Sequence, residues 1–212
     1  MRSRVLVLAP LLALALTACG GGHATAPKPK VATNYQGALL SKPIALPATT
    51  LTATDGSGFD FARTDLGTLR LVFFGFTHCE DTCPTTMSDL AAALRKVPAD
   101  VRDKTKVVFV TTDPKRDTLP VMRAWLDRFD KTFIGVTGTA AQVAAAARAM
   151  GVPLLPEEKL PSGGYDVPHG AQVIAFTPDN QAHLIWLGGT QVKQYRSDIV
   201  KLLSDPAYGG HA

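Results

Sequence analysis

Apolar positions along this chain fall in short blocks with two alternating periods. Leu69-Arg70-Leu71-Val72-Phe73-Phe74-Gly75-Phe76 is almost continuously apolar, as expected of a central strand covered on both faces. Lys106 to Val110 reads the same way. Between them Met87, Leu90, Ala91, Leu94 and Val97 recur at helical spacing and predict a helix over Thr86 to Lys96. Leu119 to Phe129 predicts a second helix, with Pro120 tolerated in its first turn. Phe133 to Val136 predicts a short strand. Thr139 to Met150 predicts an alanine-rich helix with Thr139 as N-cap and Gly151 as its stop. Gln172 to Phe176 and Leu184 to Leu187 flank the turn cluster Thr177-Pro178-Asp179-Asn180, which predicts an antiparallel pair. Gln191 to Leu203 predicts a closing helix. Upstream, Leu51 to Thr54 and Phe59 to Phe61 flank Asp55-Gly56, a hairpin signal.

Strands alternating with helices, then a hairpin and a last helix, place the chain in the α/β class. The expected architecture is a thioredoxin-like sandwich with a central mixed sheet and an added N-terminal β-hairpin. At 212 residues the chain is long enough for one domain with a sizeable core.

The two ends follow other patterns. Arg2 and Arg4 precede an apolar run from Val5 to Leu16 that is interrupted only by Pro10 and is too short for a stable membrane span. Leu16-Thr17-Ala18-Cys19 matches a bacterial lipobox, in which the cysteine is lipidated and becomes the new N-terminus. Residues 1–18 are therefore expected to be a lipoprotein signal peptide. Residues 19–43, rich in Gly, Ala, Pro, Lys and Thr, are expected to be a flexible tether lipidated at Cys19. The folded domain is expected over 44–205, and a flexible tail over 206–212. This places the protein on the extracytoplasmic face of the bacterial cell membrane. The net charge is +4, and without the two cations Arg2 and Arg4 it falls to +2, too weak to argue for nucleic acid; no arginine-rich run or basic face with interleaved aromatics is visible.

Two cysteines remain after Cys19. Cys79-Glu80-Asp81-Thr82-Cys83-Pro84 follows directly on the buried strand and enters a helix, at the carboxyl end of a strand, where open α/β sheets place their sites. Cys83 should sit near the helix N-terminus, where free N–H groups and the dipole favour a thiolate. Pro84 suits the first helical turn. The spacing alone leaves three readings open: a disulfide, a redox dithiol, or a site for a soft metal ion. Met87 shares the helical face of Cys83, but the pattern around it is that of core. Asp113 and Asp117 could form a carboxylate pair; turn and N-cap roles fit their local sequence better. His23, His183 and His211 carry no functional signal, and His78 should point away from its neighbour Cys79.

Three blocks of sequence bear a family resemblance. Residues Phe73 to Met87, with Cys79 and Cys83 inside them, closely resemble the signature of the Sco/SenC family. Val110-Thr111-Thr112-Asp113-Pro114-Lys115-Arg116-Asp117-Thr118-Leu119 resembles the family's second motif. Tyr165-Asp166-Val167-Pro168-His169-Gly170 resembles, more loosely, the loop that carries its ligand histidine. The resemblance implies a thioredoxin-like fold and copper, as Cu(I) and Cu(II), held by Cys79, Cys83 and His169. It implies Asp113 near the site. It also implies a role in delivering copper to the binuclear site of cytochrome c oxidase, with the copper-site subunit of the oxidase as partner. Cys79 and Cys83 can also form a redox disulfide, so a thiol reductant is implied as a second partner, and another copper chaperone as a third. Two departures stand out. Glu80 replaces a common proline, and Pro168 and Gly170 flank His169 in place of Asp and Ser, which removes a side-chain acceptor for the imidazole. The reading is a binding and transfer protein rather than a catalyst with turnover. Its rivals are a thiol–disulfide oxidoreductase acting on cysteines of an oxidase subunit, which would not need His169, and a copper or redox sensor.

Overall fold

A computed structural model describes residues 34–209, apart from 66 and 162. The strands are β1 (Ala38–Ala45), β2 (Thr50–Ala53), β3 (Gly58–Asp60), β4 (Leu69–Gly75), β5 (Thr105–Thr111), β6 (Ile134–Thr137), β7 (Glu158–Lys159), β8 (Tyr165–Asp166), β9 (Val173–Phe176) and β10 (Gln181–Trp186). The helices are α1 (Thr82–Leu94), α2 (Ala99–Asp103), α3 (Leu119–Leu126), α4 (Ala140–Ala149) and α5 (Val192–Ser204). Eight strands form one mixed sheet in the order β1-β10-β9-β4-β5-β6-β2-β3. Strands β4, β5 and β6 run parallel, and β9, β10 and β1 continue the sheet antiparallel on the other side of β4. The pair β7–β8 forms a separate small hairpin.

The continuous apolar run of β4 follows from its central place. Leu69, Leu71 and Phe73 face a core completed by α1, α3 and α5, while Val72 and Phe74 face a second core with α4 and Phe59 and Phe61 of the hairpin region. Strand β5 divides its residues in the same way, Val107 and Phe109 to one face, Val108 and Val110 to the other. Met87, Trp125 and Trp186 are all core residues. The alanine-rich helix begins at the expected cap: Thr139 and Gln142 form a reciprocal capping box. It ends before Gly151 at φ +68°, a left-handed turn that glycine adopts without strain.

Both expected domain limits need correction. The segment expected as tether up to residue 43 is folded from Tyr35 onward, and β1 pairs with β10. Its burial is only partial, its register slips between Leu39 and Ile44, and it carries Lys42 and Pro43, so it looks polar and irregular in sequence. The buried Asp198 fastens it, accepting from the Gln36 and Gly37 N–H groups and from Trp186 Nε1. At the other end, residues 206–208 form a 3-10 turn rather than a tail, and Tyr208 is buried. The expected signal peptide, Cys19, His23 and His211 lie outside the described residues.

Candidate metal centre

Strand β4 delivers the cysteines. After Gly75 the chain turns, with the Cys79 N–H donating to the Phe76 carbonyl, and α1 begins at Thr82. Asp81, at the N-cap, makes no side-chain cap. The Cys79 sulfur takes that place: the Cys83 N–H donates to it at 3.3 Å, and the Asp81 backbone bonds to it as well. Cys83 sits one turn further on and is fully buried. Gly75 makes room for it, since a Cβ there would lie 3.0 Å from Cys83 Sγ and 2.9 Å from the rings of Phe73 and Phe109.

The two thiols are therefore unequal. Donation from the Cys83 thiol, and then from backbone N–H groups, holds Cys79 down to about 6. Cys83 is pushed upward, because it donates to Cys79 and because burial penalises its charge. This corrects the expectation that the helix N-terminus favours a thiolate at Cys83. Its sulfur turns into the core, and the N–H groups point at Cys79.

His169 arrives from the other side of the fold. It forms an isolated antiparallel bridge with Leu154, flanked by bonds from the Leu155 N–H to the Pro168 carbonyl and from the Gly170 N–H to the Pro153 carbonyl. The ring stands edge-on to Phe73 and Phe76, with centroids 6.1 and 6.0 Å away. Its Nε2 lies 3.8 Å from Cys83 Sγ, and its Nδ1 lies 2.9 Å from the Gly170 carbonyl oxygen. The acceptor expected to be missing beside His169 is thus supplied by the backbone. Among the described residues no group of three His, Cys, Asp or Glu side chains already has the spacing of a closed metal site. Cys83 and His169 are paired, while Cys79 borders a cleft of about 400 Å³ together with Phe76, His78, Glu80, Tyr165 and Asp166. His78 is half-exposed and does not join the pair.

The second motif holds these parts in place. Asp113 is buried and accepts from the Tyr165 hydroxyl at 3.0 Å and from the Arg116 side chain. Arg116 also donates to the Tyr165 carbonyl and lies 3.8 Å over the Tyr165 ring. Asp113 thereby ties down the β7–β8 hairpin that leads to His169. Asp117, expected at a turn or cap, is wholly buried and caps no helix; the N-cap of α3 is Thr118. Its carboxylate accepts from the Thr77 N–H, the Thr77 hydroxyl and the Thr111 hydroxyl. It joins the loop after β4 to the end of β5. Arg116 and Tyr165 were not singled out from sequence, and Asp117 was weighed only as half of a carboxylate pair or as a turn and cap residue. Their common signal was position, since each lies inside a motif that also carries a named site residue.

A helix started by one thiol, with a second thiol beneath it at the end of a central parallel strand, defines a thioredoxin-like protein; an imidazole facing the inner thiol makes the site a dithiol–histidine centre. The chain belongs to the SCO1/SenC family, whose model matches residues 45–204. It is 33% identical over 141 residues to a Stutzerimonas stutzeri protein named for copper binding, which covers 66% of this chain and 68% of that one. It is 33% identical over 110 residues to the mitochondrial SCO2 homolog of Bos taurus, covering 51% of this chain but only 41% of the longer relative. The structure of Bradyrhizobium japonicum ScoI with copper bound superposes with a TM-score of 0.66 at 26% identity, over 76% of this chain and 98% of that one.

Proposed function

We propose that this protein binds copper through Cys79, Cys83 and His169 and passes it on during assembly of the binuclear copper site of cytochrome c oxidase. The observation that carries the reading is the Cys83–His169 pair, with Nε2 3.8 Å from the thiol sulfur and Nδ1 engaged by a carbonyl. With Nδ1 carrying the proton, Nε2 offers its lone pair on the side of the sulfur. Two thiols and an imidazole are soft and borderline donors, which suit Cu(I) and, with the nitrogen, Cu(II). Copper is the cargo, and its partner is the copper-site subunit of the oxidase. Loading needs Cys79 and Cys83 reduced, so a thiol reductant acts upstream, and another copper chaperone is a candidate donor. Asp113 supports the site through Tyr165 rather than through a donor atom. Anaerobic titration of the reduced chain with copper, beside the His169→Ala variant, tests the ligand set.

Anchoring belongs to the same proposal. The Leu16-Thr17-Ala18-Cys19 box supports lipidation of Cys19 and a place on the extracytoplasmic face of the membrane. Among the described residues no helix is long and apolar enough to cross a membrane. Mass spectrometry of the membrane-extracted protein tests the anchor, and an unmodified Cys19 would refute it.

A second reading is favoured by one observation, the inequality of the thiols. A thiolate at Cys79 on the cleft side and a protonated Cys83 beneath it suit a thiol–disulfide oxidoreductase. Cys79 would attack a partner disulfide, and Cys83 would then displace the partner's thiol and leave a Cys79–Cys83 disulfide. His169 separates the two readings, because the exchange does not require it.

A further inference from the structure

Helix α5 carries a charge pattern that the metal centre does not use. Its only acidic residue, Asp198, is buried and occupied by Gln36, Gly37 and Trp186. Its outward charges are all cationic: Lys193 and Arg196 are exposed, and Lys201 is partly so. Lys193, Arg196 and Lys201 recur along one side of the helix. They line two adjoining shallow clefts, one reaching Lys96 just beyond α1 and the other running past Val200 to Lys201. Asp89 is the one acidic residue in these linings. None of the residues that form the metal centre takes part.

The chain enters the described structure on this same helix. Lys201 Nζ donates to the Asn34 carbonyl at 2.7 Å and lies 5.8 Å from the centre of the Tyr35 ring. The segment from Cys19 to Asn34 can span at most about 50 Å, so an anchor at Cys19 keeps α5 within reach of the bilayer. Lysines and arginines held close to an anionic leaflet are attracted to it, whereas a zwitterionic surface offers little.

We propose that the outer face of α5, extended by Lys96, docks on anionic phospholipid headgroups. The side of the domain that meets the bilayer rests on the anchored reading given above; the charge pattern of α5 does not. The surface would hold the domain in one orientation and leave the Cys79 cleft and His169 uncovered. The test uses the chain from residue 19 with Cys19→Ser, so that no lipid can form the attachment. It is sedimented with vesicles of phosphatidylglycerol or of phosphatidylcholine. Binding to phosphatidylglycerol alone is expected, falling as salt rises toward about 0.5 M. Lys193→Glu with Arg196→Glu should lower the bound fraction on the order of tenfold or more. Both side chains are exposed, so the circular dichroism spectrum and copper binding of this variant should match the parent. Lys28→Glu with Lys30→Glu is the control for basic residues outside the described structure. Equal binding to both lipids, no binding to either, or loss of binding only in the Lys28/Lys30 variant would overturn the proposal. None of these results bears on whether Cys19 is lipidated in the cell, which the mass of the extracted protein decides separately.

Discussion

The imidazole Nδ1 of His169 faces the carbonyl oxygen of its own neighbour, Gly170, at 2.9 Å. Only an N–H can satisfy that carbonyl, so the neutral ring carries its proton on Nδ1 and keeps the Nε2 lone pair on the side of Cys83. His169→Ala should therefore weaken Cu(II) binding by about 100-fold or more while changing Cu(I) binding far less, because two thiolates alone satisfy Cu(I). Competition titrations with each copper state measure this. Equal affinity of parent and variant for both states would remove His169 from the ligand set.

In the metal-free protein the two thiols should alkylate in sequence. Cys79, held down to about 6 by donation from Cys83, should react first. Its rate should fall as pH drops below about 6, because protonation removes the nucleophile. Cys83 is pushed the other way and buried, so it should react only once the fold opens. Peptide mapping after timed iodoacetamide treatment reads both rates. Similar rates for the two, or a midpoint for Cys79 near the ordinary thiol value of 9.0, would contradict the assignment.

Asp117→Ala should cost about 3 kcal/mol of stability. It leaves the Thr77 N–H and the Thr77 and Thr111 hydroxyls without their acceptor in a buried place. Asp117→Asn retains one acceptor oxygen and should cost less. Urea unfolding of the reduced, metal-free protein measures both. The loop from Thr77 to Cys79 should also loosen in the alanine variant, seen as a broadened Cu(II) spectrum. An unchanged midpoint would show that Asp117 carries no such role.

Gly75→Ala should harm both fold and site. Its new methyl would meet Phe73, Phe109 and Cys83 Sγ at 2.9 to 3.0 Å, where the neighbours are packed rings and a ligand candidate. Overpacking of this kind costs about 1–3 kcal/mol and should shift Cys83 enough to weaken copper binding. Gly56→Ala is the comparison. A side chain there meets nothing within 4 Å, and the strain comes only from φ +84°, so copper binding should be unchanged while stability falls by about 1 kcal/mol. Thermal melts paired with copper titration separate the two cases.

Sequence pattern located the central elements because burial on both faces leaves an unmistakable apolar run, as in β4, and because α4 carries its cap and its stop in plain residues. It was weakest where the partner is distant. Strand β1 is an edge strand with a slipped register, so it shows no clean alternation, and the hairpin β7–β8 is only two residues deep on each side. The cysteine spacing and the family resemblance directed attention to Cys79, Cys83 and His169, and the structure places Cys83 against His169. The division of charge between the thiols was not legible, since it depends on which sulfur faces the N–H groups at the start of α1 and which faces the core. Asp117 was hidden for a similar reason. An Asp before a Thr suits a cap locally, and only the parallel pairing of β4 with β5 brings Thr77 and Thr111 to it.

The margins of the eight-stranded sheet bear on how copies of this protein coexist. An open sheet invites another chain to add itself wherever an edge offers a long, regular row of free N–H and C=O groups. One margin here, β3, is only three residues long. The other, β1, is interrupted by its register slip and carries Lys42 and Pro43, the latter with no N–H to give. Neither margin offers such a long, regular row. Under the proposed anchor, copies confined to a surface would meet one another far more often than free ones, and this sheet would give such encounters no regular strand to extend.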